Sequence, residues 1–306
     1  MPDIADTQLG LRRRVRPGEI LIVSLLRLAA VASIFITVGI VVSLLMPALD
    51  FFEQVRVFDF LTGTDWRPNL APQAFGVLPL VGGTLMTTLV GLLVAVPFGL
   101  GAAMYLSEYA SRGLRRKLKP VLELLAGVPS VVYGFFALQF ITPVVLRDWF
   151  GVEVDFTNAL SAGIVLGIMI VPTVASLSED AMSAVPHALR QGSFAMGANR
   201  MQTTLRVVFP AATSGIAAAI VLGLSRAVGE TMIVALAAGS RPNLSADVRE
   251  GMQTMTGYIA NTASGENVVG SLSYNTLFAV GLLLFAITLV INIISIALVR
   301  RLREAY

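Results

Sequence analysis

The chain has 306 residues, of which 56% are hydrophobic and only 13% charged, with a mean hydropathy of +0.79. Soluble domains carry about a quarter of their residues charged, so a water-soluble fold is excluded, and the absence of cysteine excludes disulfides, iron–sulfur clusters and thiolate metal sites. The net charge of +3 does not argue for nucleic acid, because the basic residues gather just beyond apolar runs, and the single histidine, His187, argues against an imidazole-rich metal centre.

The amino-terminal tail, residues 1–19, carries Arg12, Arg13, Arg14 and Arg16. The apolar run that follows, Ile20 to Leu49, is far longer than the 7–15-residue core of a signal peptide and lacks a small-residue cleavage site, so it reads as a retained first span. A mixed segment, Asp50 to Ala74, completes a first region of residues 20–79. A second span is expected from Leu80 to Leu106, followed by a compact basic loop with Arg112, Arg115, Arg116, Lys117 and Lys119. A third span is expected over Pro120 to Leu146 and a fourth over Ala159 to Leu177.

Residues 178–210 are polar and helix-forming, punctuated by Gly and Pro, and too short in apolar runs to cross a bilayer. Gly197 offers a helix stop, since glycine accepts the left-handed conformation at a helix end. Asn199 can cap a second helix running to Phe209, and Pro210 marks entry into the fifth span, Ala211 to Ala238. The expected product is two short helices with a bend. A loop from Gly239 to Leu272 then leads to a sixth span, Ser273 to Val299, and a basic tail, residues 300–306.

With the amino terminus inside, fifteen basic residues fall in inner segments against five in outer loops. That bias places both termini in the cytoplasm. The fold class expected is therefore an all-α polytopic membrane protein of six spans, in a multi-pass cell membrane.

Two features resist a purely structural explanation. The first is the pair Arg226 and Glu230 inside the fifth span. A mid-membrane arginine costs roughly 2.5–3.5 kcal/mol on insertion scales, so it faces protein or water. If the helix is continuous, a spacing of four brings both side chains onto one face, where they neutralise each other. This is either a buried packing pair or part of an anion pathway, because the planar guanidinium suits an oxyanion. The second is the bent segment Gln191 to Pro210. Lesser candidates are Ser130 and Tyr133, which either line a pathway or hydrogen-bond backbone carbonyls. Pro129, Pro172 and Gly134 read as kink or packing residues, and Glu108 and Glu123 as partners of basic neighbours. No nucleophile–base pair or metal-ligand cluster appears in any span, so no catalytic or metal site is expected.

The bent segment resembles the EAA loop of ABC importer permeases, whose pattern is Glu-Ala-Ala, three residues, Gly, nine residues, Ile, one residue, Leu-Pro. Gln191, Gly192 and Ser193 fall on Glu-Ala-Ala, Gly197 on Gly, Val207 on Ile, and Phe209 and Pro210 on Leu-Pro. The spacing matches throughout, although Gln191 replaces an acid. Further runs, Phe75 to Pro79, Glu123 to Gly134 and Ser225 to Met232, resemble the permeases of the phosphate-specific ABC importer. The outer run Leu61 to Pro68 resembles the PstC type more than its PstA-type sister.

The resemblance implies a type I ABC importer permease domain over residues 80–299, with 178–210 as a coupling loop that docks on a cytoplasmic ATPase. It implies phosphate as substrate, with Arg226 and Glu230 on its route. The implied partners are a sister permease of the PstA type, two ATPase subunits and an extracytoplasmic phosphate-binding protein. No G-x-x-x-x-G-K-[ST] run occurs, so ATP and Mg²⁺ would be used by the separate ATPase, and this chain would bind no cofactor. Permeation of another oxyanion (molybdate or sulfate) and ion-coupled secondary transport are the competing readings.

Overall fold

The computed structural model describes residues 17–265 and 268–302. The arginines of the amino-terminal tail and Arg303 lie outside them. In chain order, α1 (Pro17–Gln54) crosses first and is followed by a short α2 (Val57–Thr62). A two-stranded antiparallel hairpin, β1 (Trp66–Arg67) and β2 (Ala74–Phe75), leads into α3 (Leu78–Met104), which ends in a π-helical turn, Tyr105–Tyr109. Next come α4 (Arg112–Ala126) and α5 (Ser130–Phe136), the latter continuing as π-helix through Trp149. Then follow α6 (Ala159–Ser183), α7 (His187–Ala195), α8 (Arg200–Thr203) with a π turn to Val208, and α9 (Phe209–Ala211). The chain closes with α10 (Thr213–Gly229), α11 (Met232–Ala237), α12 (Met255–Ser264) and α13 (Leu272–Leu302).

Five helices among the described residues are long and apolar enough to cross a membrane: Leu21–Gln54, Leu78–Tyr109, Ser130–Trp149, Ala159–Ser183 and Leu272–Arg301. A sixth crossing is broken, with Arg200–Ala211 and Thr213–Gly229 meeting at 72°. Three expectations need correction. The third span begins at Ser130 rather than Pro120, because Pro120 to Ala126 belongs to α4, an amphipathic helix that also absorbs the basic "loop". Ser111 caps α4 by accepting the Leu114 N–H at 3.3 Å. The fourth span runs on to Ser183 because Glu179 and Asp180, although ionisable, are paired there. The expected outer loop Gly239 to Leu272 contains α12, and residues 251–258 within it are all buried.

The centre of the molecule is the α3–α6 pair. Gly163 and Gly167 stand four apart on α6, and small residues at that spacing let helix backbones approach. A Cβ on Gly163 would stand 2.5 Å from the Val90 Cβ, and one on Gly167 would stand 2.6 Å from the Gly91 carbonyl oxygen. Around this seam, Tyr133, Leu166, Met169, Ile170, Val174, Ile233 and Val234 join α5, α6 and α11 into one apolar core. At the end away from the basic residues, Phe51, Phe60, Trp66, Tyr258 and Val280 tie α1, α2, the hairpin, α12 and α13 together. Their rings meet edge to face, Trp66 on Tyr258 at 5.0 Å between centroids. The apolar window of α1 is wholly unburied, as befits a helix whose solvent is hydrocarbon.

Candidate functional site: a broken span and a bent loop

The fifth crossing does not run through its charged pair. The helix α10 stops at Gly229, and Glu230 is extended, with φ −66° and ψ 134°. Arg226 and Glu230 therefore do not share a helical face, and the expected mutual neutralisation is absent from the ion pairs among the described residues. Glu230 turns its carboxylate onto the start of α11, accepting the Met232 N–H at 3.1 Å and the Ile233 N–H at 3.4 Å. These are backbone donors that a helix start leaves unsatisfied, and a carboxylate suits them.

The break also frees the Glu230 carbonyl. It accepts the Thr256 hydroxyl at 2.6 Å, from the buried segment that precedes and opens α12. That segment is pinned twice more. Thr84 on α3 accepts the Met255 N–H at 2.9 Å, and Thr254 caps α12 by accepting the Gly257 N–H at 3.0 Å. In hydrocarbon, irregular backbone survives only where protein supplies such partners. Three threonines supply them here.

Arg226 sits in the last turn of α10, where a cation favours the helix dipole. Its side chain is exposed within the single chain and makes one long hydrogen bond, from Nη1 to the Thr173 hydroxyl of α6 at 3.4 Å. The guanidinium has five N–H donors, so most of its capacity is unused. Ser225 beside it bonds Asn292 of α13 at 3.2 Å.

Of the lesser candidates, Tyr133 is buried and its hydroxyl donates to the Leu125 carbonyl at 2.9 Å, which satisfies the carboxyl end of α4. That is the backbone-bonding role foreseen as its alternative. Ser130 opens α5, half-buried. Gly134 lets α5 lie against α11, since a Cβ there would stand 2.8 Å from Leu236 Cδ1.

At the basic end, the bent segment forms as its sequence dictates. Gly197 has φ +83° and ends α7. Asn199 caps α8 reciprocally: its Oδ1 accepts the Gln202 N–H and its own N–H donates to Gln202 Oε1, both at 2.9 Å. Gln191 and Gly192 are exposed, while Ser193 bonds Thr203 at 2.9 Å and holds α7 to α8. Val207 and Phe209 are half-buried and Pro210 is exposed at the 72° bend. Phe194, Met196, Met201 and Leu205 project unburied, Met196 by 89%. These apolar side chains stand exposed on an otherwise polar projection.

Sequence reasoning missed Thr84, Thr173 and Thr256, and the buried Glu179. The latter is fully buried on α6 yet paired with Arg115 and with Lys119 Nζ at 2.9 Å, and it accepts the Ser183 hydroxyl at 2.8 Å. Lys119 also pairs with Asp180. Burial lowers the Lys119 pKa, but the two carboxylates outweigh it and the net shift is upward.

Known proteins place this architecture. A family model described as the binding-protein-dependent transport system inner membrane component matches residues 95–304. A probable ABC transporter permease of Bacillus subtilis, YqgH, is 35% identical over 283 residues, covering 92% of this chain and 89% of the relative. The phosphate transport system permease PstC of Mesorhizobium japonicum is 31% identical over 314 residues (96% and 94%), and that of Pasteurella multocida 31% over 303 (94% and 93%). Among solved structures, a bacterial alginate ABC transporter aligns with TM-score 0.66 at 18% identity over 94% of this chain and 98% of that one. The inward-facing MetNI methionine transporter aligns with TM-score 0.54 at 22% over 75% and 95%. At such identities these two speak for the fold alone. With the family model over most of the chain and relatives above 30% along nearly all of it, the chain belongs to the inner-membrane permeases of binding-protein-dependent transport systems, in the PstC-type branch.

Proposed function

We propose that this chain is a permease subunit of an ATP-driven phosphate importer and forms, with a PstA-type sister, the path for inorganic phosphate. The observation that carries the reading is the state of Arg226: a guanidinium in a membrane crossing, exposed and nearly unpartnered, whose apparent counter-ion is turned away to cap α11. An unneutralised arginine attracts an oxyanion by charge and by its planar fork. A conduit requires that such a contact be strong enough to admit the anion and weak enough to release it. The PstC relatives supply phosphate as the anion.

The remaining machinery lies on partners. The loop 187–210 offers its apolar tip to one of two cytoplasmic ATPase subunits, which use ATP and Mg²⁺, and an extracytoplasmic phosphate-binding protein delivers the anion to the opposite face. The chain moves its substrate and leaves it chemically unaltered. Proteoliposomes holding all the subunits test this: phosphate uptake should require ATP and resist excess sulfate and molybdate. Uptake displaced by either competitor would move the substrate, and uptake indifferent to ATP would remove the importer reading.

A further inference from the structure

We infer that Arg190 is a positioning residue that locks the bent loop to the basic ends of α3 and α6, so that a displacement of the loop moves both helices with it. The inference rests on reading 187–210 as the ATPase-coupling loop.

Arg190 lies on α7, one residue before the segment aligned with the family pattern, and its side chain is only 12% exposed. It donates from Nη2 to Glu108 Oε1 at 2.9 Å, and from Nε to the same oxygen at 3.4 Å. Glu108, 8% exposed, belongs to the π turn that ends α3. The same guanidinium also donates to two carbonyls at the close of α6, Met182 O at 2.8 Å and Val185 O at 2.5 Å. Met182 O, in the last turn of α6, also accepts the Val185 N–H at 3.2 Å, Val185 O lies just past that helix, and a cation suits a helix carboxyl end by charge. One side chain therefore joins three elements.

A lysine has a single nitrogen and cannot span these acceptors with the fixed fork that Arg190 uses. Apolar contacts surround the knot: Leu189 and Phe209 pack against Met182, Val185 and Val208. The loop's other arm is joined to the pathway through the chain itself, since Pro210 leads across the 72° bend into α10 and so to Arg226. The loop thus grips α3 and α6 through Arg190 and α10 through its backbone. Motion delivered at its exposed tip has two routes upward, and only the first depends on side-chain contacts.

The native chain has no cysteine, so a single pair of spin labels can be introduced at exposed sites, Tyr105→Cys on the π turn and His187→Cys at the start of α7. In the full complex the label distance should be single and narrow with and without ATP. Arg190→Gln should broaden it, and Glu108→Gln should broaden it less because Arg190 keeps its bonds to Met182 O and Val185 O. The double variant should be no worse than Arg190→Gln alone, since the α3 link is already gone there. Arg190→Lys keeps the charge and should stay closer to native. In transport, phosphate moved per ATP should fall roughly fivefold or more in Arg190→Gln, the low end of an ordinary site-to-site coupling. ATP hydrolysis per purified complex should persist. An unchanged distance distribution in Arg190→Gln, or losses in the two variants that simply add, would overturn the inference. A native complex that fails to move phosphate would instead count against the proposed function, because the label distances do not depend on the substrate.

Discussion

Two charge-bearing regions of this permease are built on opposite rules. At the basic end, Glu179 is fully buried and meets Arg115 and Lys119, and Glu108 meets Arg190. At the broken span, Arg226 is exposed with one long hydrogen bond, and the nearby carboxylate of Glu230 serves backbone N–H groups instead. The difference separates structure from function. Paired charges hold helix ends together, whereas an unpaired charge within a membrane crossing is costly, and under the proposed function Arg226 is kept so for the passing anion.

The strongest way to break this comparison is to unpair the paired end. Replacing both Arg115 and Lys119 by Ala strands the buried Glu179 carboxylate and should cost about 3–5 kcal/mol, read as a large loss of folded protein in thermal melts. Undiminished melting would deny the clamp. Lys119 adds a pH signature: its raised pKa means its contribution is full below the ordinary lysine value and is lost as pH rises through the higher folded one. Melting should thus fall at strongly alkaline pH, and less so in Lys119→Met.

At the other end, Arg226→Gln should leave melting near native but lower phosphate uptake roughly 10- to 150-fold, the equivalent of losing one charged contact worth about 1.5–3 kcal/mol. Thr256→Val removes the partner of the Glu230 carbonyl and should cost about 1 kcal/mol in stability, with a severalfold loss of uptake. The smallest effect is expected at Asp247, a partly exposed loop residue whose carboxyl the Arg249 hydrogen bonds hold down to about 2. Asp247→Asn should leave uptake unchanged and lower melting only slightly near neutral pH, where the small benefit of that lowered pKa is present, and the difference from native should vanish as pH falls towards 2.

Much of this was legible in the sequence because the signals were local. Apolar runs gave the spans, and the left-handed Gly197 and the capping Asn199 gave the bent loop, each within a few residues of the feature it controls. The start of the third span was misread because Val121, Leu122, Leu124 and Leu125 abut the apolar run that follows, and hydropathy alone does not distinguish an interfacial amphipathic helix from a crossing. The break at Glu230 had no local sign beyond Gly229. It depends on Thr256, 26 residues later, supplying a hydroxyl to a carbonyl that a continuous helix would have used itself. Thr84, Thr87 and Thr88 on α3 carried a partial signal, three hydroxyls on one face of an apolar helix, of which Thr84 receives the inserted segment.

The central claim is that Arg226 is kept unpaired for an anion while Glu230 serves the backbone, and charge reversal of both residues tests it most directly. Phosphate uptake would be measured in the assembled importer carrying Arg226→Glu with Glu230→Arg, after purification shows that the complex forms. The account predicts no uptake, because position 226 would repel phosphate and an arginine cannot accept the α11 N–H groups. Restored uptake relative to the single variants would mean that the two residues act as an interchangeable packing pair, contradicting the account.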